Sequence, residues 1–238
     1  PGLAALFNFD FHYTMIEALN TENGQLLYQK QKDVLDFYQG ITPDFIDATF
    51  SSNHDQPRLL NDLKQDPAKY KQALAILMTL PGAPYLYYGE EIGMLGLKPD
   101  EQIREPFLWD AKEKDTRRAT WIAPKYSTDA AVSPLALQRM DPNSYFNHYK
   151  KVIGLRQSNS ALAIGSLESV SQTYPNSVMA YVRRSADQEL LVVHHLGKNG
   201  IEISIPAGFS KPIYTTDGVK MNNGMLYLPA NSSLILGK

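Results

Sequence analysis

Hydrophobic and polar positions alternate on two different length scales along the chain, and the change falls near residue 160. Before this point, short apolar runs are followed by stretches with a helical pattern. The predicted strands cover residues 4–9, 45–50 and 84–88, and the predicted helices cover residues 11–20, 25–38, 68–80 and 142–157. Such alternation is typical of parallel β/α units. Three units do not close an eight-stranded barrel, which needs about 250 residues.

After residue 160 the apolar segments become shorter, and turn residues such as Gly197, Asn199-Gly200 and Asp217-Gly218 separate them. The predicted strands are residues 178–183, 190–196, 201–205, 213–214, 225–228 and 233–236. Turn signals at this spacing indicate an antiparallel β-sandwich. His194 and His195 are adjacent on one of these strands, so we expect at most one of them to face inward. The sequence therefore predicts an α/β domain at residues 1–160 followed by an all-β domain at residues 161–238.

Composition and charge exclude several classes of function. The 238 residues have a formal net charge of −2 and no cysteine, which argues against a nucleic-acid-binding surface and excludes disulfides and thiolate zinc sites. No apolar run reaches the roughly 18 residues that cross a bilayer. The chain starts at Pro1 without an initiator Met or a leader sequence, so we expect an N-terminal part to be missing.

The tripeptide Asn53-His54-Asp55 follows the second predicted strand directly. Binding and catalytic residues of β/α barrels lie at such strand ends. An imidazole beside a carboxylate suits the recognition of vicinal hydroxyls, since the carboxylate accepts hydrogen bonds and the imidazole can donate them. An isolated Asn-His-Asp is more often a polar turn, in which Asp55 would cap the short helix after Pro57.

Two later motifs give this tripeptide its context. Residues 80–94 read Leu-Pro-Gly-Ala-Pro-Tyr-Leu-Tyr-Tyr-Gly-Glu-Glu-Ile-Gly-Met, and residues 104–109 read Arg-Glu-Pro-Phe-Leu-Trp. In this order and at these intervals, the set closely resembles the α-amylase family of glycoside hydrolases. The resemblance implies that residues 1–160 are about the last three β/α units of a (β/α)8 catalytic barrel. It also implies that residues 161–238 are the C-terminal antiparallel β domain of that family.

The same resemblance implies roles for individual residues. Asp55 matches the family's third carboxylate, which binds sugar hydroxyls and stabilises the transition state. His54 matches the histidine that contacts the same sugar, and Arg104 aligns with a substrate-loop arginine near the outer subsites. Asn53 and Tyr88 complete the predicted substrate-binding set, although Tyr88 can equally pack in the barrel mouth.

Other residues of these motifs are ambiguous from sequence. Glu90 and Glu91 are adjacent after a strand and point in different directions, so we expect them to hold the strand end and pair with an arginine rather than form a catalytic pair. Trp109 and Trp121 lie in the long irregular stretch at residues 95–141, and each is either a sugar platform or a packing residue.

A retaining glycosidase also needs a nucleophilic carboxylate and an acid/base carboxylate. The family's motifs for both are absent from these 238 residues, so we expect the isolated chain to be inactive. The leading hypothesis is a fragment of a retaining hydrolase that cleaves α-1,4-glucosidic bonds in starch or maltooligosaccharides, because residues 103–107 look more like bacterial α-amylases than oligo-1,6-glucosidases. The alternatives are an α-glucosidase or 4-α-glucanotransferase on the same scaffold, and a non-catalytic carbohydrate-binding accessory protein.

The expected partners follow from these hypotheses. They are an α-glucan or maltooligosaccharide substrate, without nucleic acid or a membrane span. Strand edges left open by truncation predict self-association or contact with the missing N-terminal part. No cofactor and no metal site are predicted in this chain, while calcium in the intact protein stays open. The compartment is unknown, with an extracytoplasmic location favoured for the intact protein.

Overall fold

The computed structural model describes residues 4–222 and 224–238. Its first part contains strands β1 (Ala5–Phe7) and β2 (Ile46–Ala48) and helices α1 (Phe9–Thr21), α2 (Gly24–Ile41), α3 (Leu59–Asp62), α4 (Pro67–Thr79), α5 (Asp100–Ile103), α6 (Leu135–Gln138), α7 (Tyr145–Gln157) and α8 (Ser160–Ile164). Its second part contains strands β3 (Ser166–Ser169), β4 (Val178–Arg184), β5 (Glu189–His195), β6 (Ile201–Ser204), β7 (Lys211–Thr215), β8 (Lys220–Asn222), β9 (Met225–Leu228) and β10 (Ser232–Gly237).

The strands of the first part are parallel, as predicted, but the third one is not a regular strand. β1 pairs with β2, and Phe50 beyond β2 forms an isolated parallel bridge to Tyr85. The segment at residues 84–88 runs beside β2 only briefly, because Pro84 has no N–H to donate and the amide of Tyr87 already turns to the carboxylate of Glu90 at 3.2 Å. The prediction of a strand over residues 84–88 is therefore wrong in extent.

Capping explains where the longer helices begin. The carboxylate of Asp66 accepts hydrogen bonds from two amides of the first turn of α4, and Pro67 is its first residue, as the sequence predicts. The prediction for α7 is wrong by three residues. Asp141 accepts an amide within a local turn, and Ser144 is the N-cap, so α7 starts at Tyr145 instead of Pro142.

The second part is a sandwich of two antiparallel sheets. One sheet has the order β3-β4-β5-β10-β7, and the other has the order β6-β9-β8. Alternate side chains of the larger sheet, such as Leu191 and Val193, pack against Leu226 and Leu228 of the smaller sheet. The short strands β3 and β8 were not predicted, because their four and three residues carry almost no alternating apolar pattern.

The larger sheet is buried on both faces. Leu190 and Val192 on β5 point away from the sandwich core and join the same apolar cluster as the residues of α4. His194 and His195 are both buried for this reason, with exposures of 0% and 1%. The expectation that at most one of them faces inward is wrong, since a layer of helices covers the second face of this sheet.

The border between the two predicted domains lies between α7 and β3. α8 (Ser160–Ile164) occupies this region and packs against both α7 and β4. The placement of the border at residue 160 remains a prediction. Among the described residues, no helix is both long enough and apolar enough to cross a membrane.

Candidate active site

The loop that follows β2 carries the predicted tripeptide at the carboxyl end of the parallel strands. Ser51 and Ser52 are buried, whereas the side chain of Asp55 is 56% exposed. The side-chain oxygen of Asn53 accepts the amide of Asp55 at 2.8 Å and folds the loop into a tight turn. Asp55 does not cap α3, since the N-cap is Arg58 and it makes no side-chain capping bond. The carboxylate of Asp55 is therefore directed towards solvent and neighbouring side chains.

Arg104 lies directly against this carboxylate. Its Nη2 is 2.9 Å from Asp55 Oδ1 and 2.8 Å from Asp100 Oδ2, and its Nε donates to the carbonyl of His54 at 2.9 Å. The Nε2 of His54 is 3.3 Å from Asp55 Oδ2. Three of the five predicted site residues thus form one contact network. Because exposed ion pairs contribute only about 0–1 kcal/mol, a ligand can displace Arg104 from Asp55 at little cost.

The two other predicted residues lie on either side of this network. Asn53 shapes the turn through its bond to the amide of Asp55. Tyr88 contacts Glu105, the residue that follows Arg104. The hydroxyl of Tyr88 donates to the carbonyl of Glu105 at 2.9 Å. One face of its ring is covered by the buried guanidinium of Arg58, whose central carbon is 4.6 Å from the ring centroid. The remaining ring surface is partly exposed, with 41% of the residue accessible.

Glu90 supports the loop from below. It is buried, and its Oε1 accepts the hydroxyls of Ser51 at 2.7 Å and Ser52 at 2.6 Å. Burial raises the pKa of Glu90 to about 7, although the two serine hydroxyls and the nearby Arg58 act in the opposite direction. These bonds agree with the expected strand-end role. The expected pairing with an arginine is wrong for the described residues, since Arg58, which lies nearby, donates to the carbonyl of Tyr88 instead. The pairing with Ser51 and Ser52 could not be read from sequence, since nothing in either motif specifies the other.

The two tryptophans of the long loop differ in their surroundings. Trp109 packs against Phe107 with tilted rings whose centroids are 4.5 Å apart, and the guanidinium carbon of Arg117 lies 5.2 Å from the centroid of its ring. Trp121 is 58% exposed. Trp109 is therefore a packing residue of the loop, whereas Trp121 keeps an open aromatic surface.

Within residues 4–222 and 224–238, no group of three or more His, Asp or Glu side chains converges as metal ligands would.

Comparison with known families places this geometry in context. The model of the α-amylase catalytic domain matches residues 3–165, and the model of the C-terminal domain of the α-amylase SusG matches residues 178–235. The chain belongs to the α-amylase family. The resemblance inferred from Asn53-His54-Asp55 and the two later motifs is thereby confirmed, together with the predicted architecture of a partial barrel followed by an antiparallel β domain.

Several individual α-amylases are similar to this chain. Alpha-amylase 3 of Dictyoglomus thermophilum is 36% identical over 197 residues, which are 83% of this chain and 39% of that protein. SusG of Bacteroides thetaiotaomicron is 32% identical over 237 residues, 93% of this chain and 33% of that protein. The crystal structure of the α-amylase of H. orenii superposes with a TM-score of 0.86 at 30% identity, over 100% of this chain and 49% of that one. The chain therefore spans between a third and a half of these relatives.

The α-amylase family also includes relatives with other names. A 4-alpha-glucanotransferase of Thermotoga neapolitana is 30% identical over 199 residues, 80% of this chain and 43% of that protein. Family membership alone therefore leaves a choice between hydrolysis and glucan transfer.

Proposed function

We propose that this chain forms part of the substrate-binding end of a retaining α-amylase-type glycoside hydrolase that cleaves α-1,4-glucosidic bonds in starch or maltooligosaccharides. The observation that supports this most strongly is the position of Asp55. It is an exposed carboxylate at the carboxyl end of parallel strands, where barrel enzymes build their sites. It shares this position with His54 and Arg104, both of which can bind sugar hydroxyls.

Asp55 is assigned the role of transition-state stabiliser. A carboxylate accepts hydrogen bonds from neighbouring sugar hydroxyls, and hydrogen bonds to the 2-hydroxyl that strengthen in the transition state accelerate glycoside hydrolysis. His54, with its Nε2 close to Asp55 Oδ2, presents a second polar group to the same sugar. Asn53 keeps both residues in place through its bond to the amide of Asp55.

Arg104 is assigned to substrate binding next to Asp55. In the absence of a ligand it occupies the carboxylate of Asp55 and the carbonyl of His54. A sugar hydroxyl that binds Asp55 would replace part of this contact, and Arg104 could then donate to a neighbouring sugar oxygen while Asp100 keeps its other bond. Tyr88 would add its exposed ring surface to the same end of the site.

The bond-breaking carboxylates are assigned to sequence outside this chain. Since the chain corresponds to 33–39% of two α-amylases that it resembles, a complete protein of similar length would contain the nucleophile and the acid/base elsewhere. The isolated chain would then bind sugar weakly and would not hydrolyse it.

The open strand edges are assigned to contact with that other sequence. Phe7, Ile46 and Tyr85 carry large exposed apolar surfaces beside the parallel strands. An apolar groove of 680 Å³ is lined among others by Ile153 and by Leu86, the residue that follows Tyr85. Apolar surface of this extent is usually covered by a partner. The remaining strands and helices of a barrel would cover it in the intact protein, and self-association would cover it in the isolated chain.

Product analysis tests the proposed function. The complete protein, incubated with amylose, maltotriose and maltose, should release shorter maltooligosaccharides whose newly formed ends have the α configuration by NMR. Products longer than maltotriose that form from maltotriose alone would instead support the glucanotransferase, which the similarity to the Thermotoga enzyme makes the second candidate. Release of glucose alone from all three would support an α-glucosidase, and binding without turnover would support an accessory protein.

A further inference from the structure

Glu105 follows Arg104 directly but has an entirely different environment. Glu105 is only 1% exposed. Both of its carboxylate oxygens accept hydrogen bonds from backbone amides of the long loop. Oε1 accepts the amides of Lys125 at 2.7 Å and Tyr126 at 3.0 Å, and Oε2 accepts the amide of Ser127 at 2.7 Å. A carboxylate with three good backbone donors is strongly localised, because bonds to an ionised acceptor are roughly twice as strong as those between neutral groups.

The anchored segment is fixed on its other side as well. The hydroxyl of Ser127 accepts the amide of Leu95 at 2.9 Å and donates to the carbonyl of the same residue at 2.7 Å. Within the described residues, no Lys or Arg nitrogen lies in ion-pair range of Glu105. The backbone amides are therefore the groups that compensate its carboxylate most directly, and the loop around residues 125–127 is held by Glu105 together with the two bonds between Ser127 and Leu95.

This anchor is connected to the site in two ways. The carbonyl of Glu105 accepts a hydrogen bond from the hydroxyl of Tyr88 at 2.9 Å. Glu105 is also the next residue in the chain after Arg104, which contacts Asp55. Arg104 lies at the end of α5, where its backbone has no helix to hold it in position. Its side chain is held by Asp100, Asp55 and the carbonyl of His54, and its backbone passes directly into the anchored Glu105.

We propose that Glu105 is a positioning residue that fixes Arg104 against Asp55 by locking the chain onto the backbone of residues 125–127. The proposal rests on the proposed function for its effect on turnover, but the geometric part does not. Glu105 then affects substrate affinity through Arg104. Its own carboxylate is buried and cannot contact the sugar.

A double-mutant cycle in the complete protein tests the kinetic part. Glu105→Gln keeps the size of the side chain but sets an NH2 group against a backbone N–H, and kcat/KM should fall by about 10-fold, mainly through KM, for the loss of one charge-assisted bond. Arg104→Ala should lower kcat/KM at least as much. The double variant should equal Arg104→Ala alone. Multiplied effects of the two substitutions would overturn the proposal.

Two further measurements separate positioning from folding and from activity. Glu113→Gln, an exposed carboxylate of the same loop, is the matched control and should leave kcat/KM unchanged. A crystal structure of the Glu105→Gln protein should place Arg104 Nη2 more than about 4 Å from Asp55, outside ion-pair range. An unchanged contact of Arg104 with Asp55 would overturn this proposal. If the complete protein turns over no α-glucan, the proposed function fails, but the crystal structure still tests the role of Glu105.

Discussion

The two parts of this molecule complete their sheets to very different degrees. In the β domain, the central strands β4, β5 and β10 are buried along almost their whole length, with helices on one face and a second sheet on the other. In the barrel part, β1 and β2 form a two-stranded sheet, and Phe7 and Ile46 on it are 54% and 46% exposed. The β domain thus covers its central strands on both faces, whereas the strands of the barrel part leave large apolar side chains exposed.

Buried polar residues occur in both parts and join distant segments of the chain. In the β domain, Arg183 is fully buried, burial lowers its pKa to about 10, and its guanidinium donates to the carbonyls of Thr79, Gly165 and Ser166. In the barrel part, the buried carboxylate of Glu90 accepts the hydroxyls of Ser51 and Ser52. Asp55 at the same strand end is exposed instead, and its carboxylate is available to a ligand.

The largest expected effect separates chemistry from folding in the barrel part. Asp55→Asn in the complete protein should lower kcat on amylose by about 10³-fold or more, because it removes a charge that stabilises the transition state. The melting temperature should not change measurably, since Asp55 is exposed and its ion pair with Arg104 contributes little. Steady-state kinetics and calorimetry on the same preparation test this, and wild-type turnover would contradict it.

The opposite pattern is expected in the β domain. Leu236→Ala removes a fully buried side chain between the two sheets and should destabilise the protein by about 2–5 kcal/mol. KM at 25 °C should stay unchanged because the residue lies far from the strand-end loops. Leu137→Ala, at a 55% exposed leucine, is the control and should cost less than about 0.5 kcal/mol. Equal losses of stability in denaturant titrations of the two variants would argue against a tightly packed interface between the two sheets.

A pH-dependent effect is expected where the two parts meet. His194 is buried between β5 and α4, with its Nε2 3.0 Å from Thr79 Oγ1 and its Nδ1 2.8 Å from Ser233 Oγ, and burial lowers its pKa to about 3. Below pH 6.5 the unfolded chain binds a proton that the folded site excludes. The contribution of His194 to stability should therefore fall as the pH drops, by about 2 kcal/mol between pH 7 and pH 5.

The variant His194→Gln provides the check on this effect. It should flatten the decline of stability between pH 7 and pH 5 by about the same amount, whereas His54→Gln, at a 65% exposed side chain, should leave the slope as it is. Denaturant unfolding at a series of pH values measures both slopes. A slope that does not depend on residue 194 would contradict the burial argument.

The smallest effect is expected in the long loop at residues 95–141. Trp121→Ala should raise KM for long maltooligosaccharides by about 2–10-fold with kcat unchanged, since an aromatic stacking contact contributes about 0.5–1.5 kcal/mol. Trp109→Ala should instead lower the melting temperature, because that ring packs against Phe107. If Trp121→Ala leaves KM unaltered for every chain length, Trp121 is not a sugar platform.

Much of the fold was predictable from sequence because local signals coincide with the final elements. Asp66-Pro67 marks the start of α4 correctly, and the alternating apolar segments find six of the eight strands of the β domain. The errors arise where distant parts of the chain decide. The segment at residues 84–88 pairs only at Tyr85, and both His194 and His195 are buried because helices from the other domain cover their sheet.

The site shows the same limit. Motif order was sufficient to predict Asp55, His54 and Arg104, which the structure brings together. The partners of the supporting carboxylates were not predictable, since the bonds of Glu90 to Ser51 and Ser52 and those of Glu105 to residues 125–127 join segments about 20 to 40 positions apart. A charge that is compensated by backbone amides leaves no complementary residue in the sequence to reveal it.

A crystal structure of the complete protein with a bound maltooligosaccharide tests the central claim most directly. The account predicts that the carboxylate of Asp55 lies within about 3 Å of two sugar hydroxyls and that the contact of Arg104 with Asp55 is opened or shared. An oligosaccharide bound elsewhere, with Asp55 facing solvent and still paired to Arg104, would contradict it.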